Sequence, residues 1–124
     1  MLRHAHLSGF AATTDPSAAK AFYGDLLGLA VVDDSPFAVV FDANGTHLRV
    51  TTVEEAVVAP YTVLGWEVDD IAAEATELTG RGITFERFEG LEQDDLGIWS
   101  APGGAKVAWF KDPEGHVLSL AQHP

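Results

Sequence analysis

Six side chains of this 124-residue sequence are of types that bind or transform small molecules: His6, His47, Arg49, Glu67, Trp99 and Trp109. Histidine and glutamate move protons near neutral pH, and two histidines with one carboxylate are the donor set of a facial metal triad. Arg49 and Glu67 offer opposite charges, while the flat indoles of Trp99 and Trp109 suit an aromatic or cationic partner. On an extended strand, side chains two residues apart share a face. That parity puts His4, His6, Ser8 and Phe10 in one row, and His47, Arg49 and Thr51 in a second. Val63, Gly65 and Glu67 form a third row, and Val107, Trp109 and Lys111 a fourth. If those rows line one pocket, it has an aromatic wall and a few convergent polar groups, the usual character of a small-ligand site. Leu64, Trp66 and Val68 then form the apolar row that meets a helix.

Other chemistries lack their residues. The absence of cysteine excludes disulfides, zinc–thiolate sites and thiol nucleophiles, so any metal must use His, Asp or Glu. No Gly-x-Ser-x-Gly, Gly-x-Gly-x-x-Gly or Gly-Lys-Ser/Thr pattern occurs, which leaves nucleophile-elbow hydrolysis and phosphate-loop chemistry unsupported. Glu54-Glu55 and Asp94-Asp95 are adjacent carboxylates in polar segments and read as solvated surface. His4, His116 and His123 are peripheral, lying near a terminus, after a turn glycine and in the tail.

The chain is the size of one domain and, at 47% hydrophobic and 21% charged residues, has the composition of a folded protein. Seven basic residues stand against 19 acidic ones, a formal net charge of -12. Such a surface repels nucleic-acid phosphates and anionic lipid heads and attracts cations. The first six residues contain no apolar core of a signal peptide, and no run approaches the roughly 20 apolar residues that span a bilayer. The expectation is a cytoplasmic protein with neither a nucleic-acid nor a membrane partner.

Two helices punctuate the chain. Asp15-Pro16 pairs an N-cap with proline at the first helical position and leads into Ala19, Phe22, Tyr23 and Leu26 before Gly28. Asp69-Asp70 opens a second helix with Ile71, Ala75 and Leu78 on one face, stopped at Gly80-Arg81-Gly82. Strands are predicted over 5–12, 30–32, 37–41 and 47–53, and again over 62–68, 83–88, 106–111 and 117–121. Each half therefore reads strand, helix, three strands, with Asp42-Ala43-Asn44-Gly45 and Asp112-Pro113-Glu114-Gly115 as turn tetrads 70 residues apart. This points to an internal duplication within one domain, with modules over about 1–58 and 59–124. Residues 89–104, acidic and then glycine-rich, lengthen the second copy and read as a mobile lip from which Trp99 closes over the pocket.

The doubled unit, with Phe22-Tyr23 before Leu26-Leu27-Gly28-Leu29, Trp66-Glu67-Val68-Asp69-Asp70 and Trp109 to His116, resembles the vicinal oxygen chelate superfamily. That superfamily includes glyoxalase I, fosfomycin-resistance transferases, extradiol dioxygenases and bleomycin-binding proteins. The resemblance spans essentially the whole chain. It implies an α+β fold of two tandem βαβββ modules, the glyoxalase/bleomycin-resistance fold, with curved mixed sheets enclosing a cavity. It also places the positions that hold metal in metal-using members at Ser8, Arg49, Val63 and Ser119. Ser, Arg and Val do not supply the imidazole and carboxylate donors a divalent ion takes, so no metal and no cofactor is expected.

The leading expectation is a metal-independent small-molecule binding protein, resembling the bleomycin-resistance type, that sequesters a cationic aromatic antibiotic or metabolite. Its ligand-binding residues are His6, His47, Arg49, Glu67, Trp99 and Trp109, and the resemblance implies a homodimer that completes the site. A rival expectation is a lyase- or isomerase-type enzyme that uses His6 or His47 as base, or a displaced His6/His47/Glu67 metal site. A third is an accessory domain with an empty cavity.

Overall fold

Asp15 starts the first helix as its sequence predicts: the Oδ1 atom accepts from the backbone N–H groups of Ser17 at 3.1 Å and Ala18 at 3.2 Å. The first turn, α1 (Pro16–Ala19), is α-helical, and the chain then widens into a π-helical segment, Lys20–Leu26. Consecutive Phe22 and Tyr23 are both buried there, in edge contact at 5.0 Å, with Tyr23 tilted against Phe41 at 5.7 Å. Gly28, at φ +82°, ends the helix in the left-handed region.

The computed structural model describes all 124 residues, in two units, Met1–Val58 and Ala59–Pro124. In the first, β1 (Ser8–Thr13), β2 (Ala30–Asp34), β3 (Ala38–Ala43) and β4 (Thr46–Thr52) form a mixed sheet of order β1-β4-β3-β2. β1 runs parallel to β4 and the other pairs are antiparallel. Ala11, Val39, Phe41, Leu48 and Val50 face the helix and are buried.

The second unit repeats the plan with β5 (Thr62–Glu67), α2 (Ile71–Gly80), β6 (Trp99–Ser100), β7 (Lys106–Lys111) and β8 (Val117–Gln122), in the order β5-β8-β7-β6. Asp70 caps α2 by accepting from Ala73 N–H at 3.1 Å. Ile71, Ala75 and Leu78 are buried on the side of Ala108, Phe110, Leu118 and Leu120, the pattern expected of an amphipathic helix on a sheet. Two mixed four-stranded sheets, each with its helix, are thus the α+β architecture of tandem βαβββ modules. No helix is long and apolar enough to cross a membrane.

Two sequence expectations change, and the structure adds detail to a third. Residues 83–88 are not a strand: Ile83 and Phe85 are buried in alternation, but the only ladder-like bond is Glu86 N–H to the Trp109 carbonyl at 2.7 Å. The edge position belongs to Trp99–Ser100 instead. Residues 89–104 are irregular, as expected, apart from a bridge at Gln93 and the two-residue β6, and side-chain hydrogen bonds tie their first half down. Gln93 accepts from Phe88 N–H and donates to the Glu86 and Gly97 carbonyls. Arg87 donates to the Asp94 and Asp95 carbonyls, and Asp94 Oδ1 accepts from Leu96 and Ile98 N–H. Polar side chains do for this segment what a ladder does for a strand.

The two turn tetrads, finally, are different turns. Ala43 pairs with Thr46, leaving a two-residue turn with Asn44 at φ 51° and Gly45 at φ 94°. In the second unit Asp112 N–H bonds the His116 carbonyl at 3.1 Å, leaving three residues between them. The difference of one residue aligns Trp109 with Val40 rather than Val39, because each faces across to its counterpart, Ser119 or Arg49. Asp112 is 7% exposed, and its carboxylate accepts from Glu114 and His116 N–H, whereas the Asp42 bond to Gly45 N–H lies in an exposed turn. Asp112→Ala is therefore expected to cost about 1–3 kcal/mol and Asp42→Ala less than about 1 kcal/mol, read as urea-unfolding midpoints.

Candidate functional site

The face of the second sheet turned away from α2 is built in two rungs. Gly65, Ser119 and Trp109 are adjacent across β5, β8 and β7. Glu67, Ala121, Val107 and Trp99 follow across all four strands. Gly65 is required by a close approach: a Cβ there would sit 2.7 Å from Ser119 Oγ. Ser119 thus fills the centre of the face at the level of Trp109.

The aromatic side chains gather at the β6 end. Trp99 lies 6.1 Å from Trp109, ring to ring, with the planes 31° apart, and Phe88 meets Trp109 in a T-shaped contact at 5.2 Å. Both indoles are half-buried and Phe88 is exposed. Neither indole N–H has a partner within the chain. The result is a partly open, polarisable surface with two free donors, able to stack a flat ligand and to hydrogen-bond its rim.

Glu67 lies at the opposite edge. Its Oε1 is 3.1 Å from His123 Nε2, and both side chains are largely in solvent, at 81% and 61% exposure. The structure therefore brings Trp99 and Trp109 together, adds Phe88 and leaves Glu67 apart with His123. Phe88 escaped the sequence analysis because 83–88 reads as a strand by its apolar alternation; His123 escaped because a tail position has no pattern.

In the first unit, Ser8, His47 and Asp42 are adjacent across the sheet, as are Phe10, Arg49 and Val40. The row expected from His4 to Phe10 holds only from Ser8: His4 belongs to a 3₁₀ turn, Leu2–His4, and His6 precedes β1. His6 and His47 are exposed, Arg49 is half-buried, and Phe10 keeps 62% of its surface in solvent.

Of the positions to which the resemblance assigns metal ligands, Val63 is the extra residue of a β-bulge between Thr62 and Leu64. Ser119 Oγ packs over Gly65, and Arg49 carries positive charge. These side chains do not fit the metal of the metal-using relatives. Neither unit groups three or more His, Asp or Glu side chains in a way that could hold an ion.

Two βαβββ units, each presenting one sheet face with polar and aromatic side chains, define the glyoxalase-like class of α+β proteins. Residues 3–120 match the family model for the Glyoxalase/Bleomycin resistance protein/Dioxygenase superfamily, and the chain belongs to that superfamily. No curated protein matches it in sequence. Among solved structures, it is similar to a lactoylglutathione lyase from Agrobacterium tumefaciens, with TM-score 0.74, 19% identity and coverage of 96% of this chain and 93% of that one. TnmS3, an antibiotic binding protein from Streptomyces sp. CB03234, gives TM-score 0.75 and 21% identity over 100% and 99% of the two chains. A glyoxalase family protein from Bacillus anthracis gives TM-score 0.76 and 15% identity over 98% and 96%. Identities this low establish a shared fold and carry no activity across.

Trp109, half-buried against two aromatic rings, and Glu67, in a solvent-exposed pair, should differ sharply on truncation. Trp109→Ala is expected to cost about 2 kcal/mol, somewhat below a fully buried aromatic. Glu67→Gln should change stability by less than about 0.5 kcal/mol, measured in the same urea titration.

Proposed function

We propose that this chain is a metal-independent small-molecule binding protein that holds a cationic aromatic antibiotic or metabolite without altering it. The observation that carries this reading is the Trp99–Trp109–Phe88 surface, half open and with both indole N–H groups unused. A planar cation gains stacking and cation–π attraction from such a surface, and binding alone needs no general base or metal. The net charge of -12 raises the local concentration of cations. The antibiotic-binding function of TnmS3, a protein of the same fold, is consistent with this use of the architecture. Ser, Arg and Val at the superfamily's ligand positions support independence from metal. The reading includes a cytoplasmic homodimer whose paired subunits complete the site.

Titration with a panel of cationic aromatic drugs should quench tryptophan fluorescence and raise the melting temperature, by about 2.7 kcal/mol of added stability at a ligand concentration 100 times Kd. Trp109→Ala should abolish both effects. Native mass spectrometry with Zn²⁺, Ni²⁺ and Mn²⁺ should show a metal-free dimer. Indifference to every drug in the panel, or a stoichiometric bound ion, would sink the proposal.

A further inference from the structure

The ligand proposed above is cationic, and the carboxylate singled out in the sequence, Glu67, is badly placed to meet it. Glu67 and Trp99 lie on the same rung but on opposite edges of the sheet, three strand spacings apart. At roughly 4.8 Å per spacing that is about 14 Å, beyond the reach of a ring stacked on Trp99. Glu67 is moreover already beside His123.

Trp99 also lines an open groove of about 500 Å³, together with Gly90, Glu92, Gln93, Asp94, Ile98 and Ser100. Its two carboxylates differ. Asp94 Oδ1 is committed to the N–H groups of Leu96 and Ile98. Glu92 is exposed and has no hydrogen bond or ion pair within the chain.

The backbone that carries Glu92 is nevertheless anchored next to it. The next residue, Gln93, is fixed by three side-chain hydrogen bonds and by an antiparallel bridge to Trp99. Arg87, the nearest cationic side chain in sequence, donates to the carbonyls of Asp94 and Asp95 rather than to a carboxylate. Residues 89–104 contain four carboxylates and no Lys, Arg or His to neutralise them.

Resting on the binding-protein reading, we infer that Glu92 is the residue that selects for positive charge. The ligand's flat part sits on Trp99 and Trp109, and its cationic group occupies the groove beside β6. A free carboxylate and an indole lining one groove are groups that together recognise an organic cation, by charge and by cation–π attraction. Because the groove is open, the ion-pair contribution is that of a solvent-exposed pair and weakens with added salt.

Two probes of one ring system separate charge from shape: ethidium, a planar cation, and its uncharged parent heterocycle phenanthridine. Each is titrated into the full chain and into Glu92→Gln, Glu67→Gln and Trp109→Ala, following fluorescence at low and high salt. Glu92→Gln is expected to weaken ethidium about two- to five-fold at low salt, less at high salt, and to leave phenanthridine unchanged. Glu67→Gln should leave both as they are. Equal loss of both probes in Glu92→Gln, no loss of either, or a charge-selective loss in Glu67→Gln instead, overturns the assignment to Glu92 while leaving the aromatic site intact. Failure of both probes to respond to Trp109→Ala, or to bind at all, overturns the binding reading and the assignment with it.

Discussion

The parallel pairing of the first and last strand in each unit is the constraint on which everything else rests. A parallel pair cannot be closed by a tight turn; the chain must cross over before returning, and here the crossover carries the helix. Once β1 lies beside β4 and β5 beside β8, one face of each sheet is covered by its helix and the other is left for function. The same pairing sets which residues are lateral neighbours: Phe10 with Arg49, Gly65 with Ser119, Glu67 with Ala121. Loss of that register by one residue would turn every functional side chain into the core and every core side chain out.

Within that frame the second unit is tuned by small local departures. The bulge at Val63 keeps Gly65 and Glu67 on the open face, and Gly65 leaves room for the Ser119 hydroxyl. The three-residue turn after Asp112, against a two-residue turn after Ala43, sets which residue of β7 faces outward, and Trp109 takes that place. The 87–98 segment then delivers Phe88 and Trp99 to Trp109 through hydrogen bonds that Arg87 and Gln93 donate to backbone carbonyls and Asp94 accepts from backbone N–H groups. An aromatic surface at a sheet edge thus depends on three polar residues that bond the backbone around it.

Superfamily membership fixes the scaffold without fixing the chemistry. Where the resemblance places imidazole and carboxylate in metal-using relatives, this chain carries hydroxyls, a guanidinium and an aliphatic group, and in the second unit one of those hydroxyls, Ser119, is the cross-strand neighbour of Trp109 in the aromatic cluster. The exposed histidines His6 and His47 are in the first unit, and no carboxylate is hydrogen-bonded to them.

The sequence by itself determined the fold class, the two helix starts and the duplication, because caps, proline, glycine and apolar period are local signals that do not depend on distant residues. Parity also correctly grouped His47 with Arg49 and Gly65 with Glu67, since alternation holds wherever a strand is regular. It failed where the strand was not one. His4 is in a 3₁₀ turn, and Ile83–Phe88 alternates like a strand but bonds chiefly through a glutamine side chain. Only the tertiary structure decided that Trp99 belongs beside Trp109, that Glu67 stands three strands from Trp99 with His123, and that, of the two carboxylates lining the groove at Trp99, Glu92 is the one without a bond. Each of those outcomes depends on lateral strand order and on side-chain bonds across many residues, and a linear pattern carries no record of either.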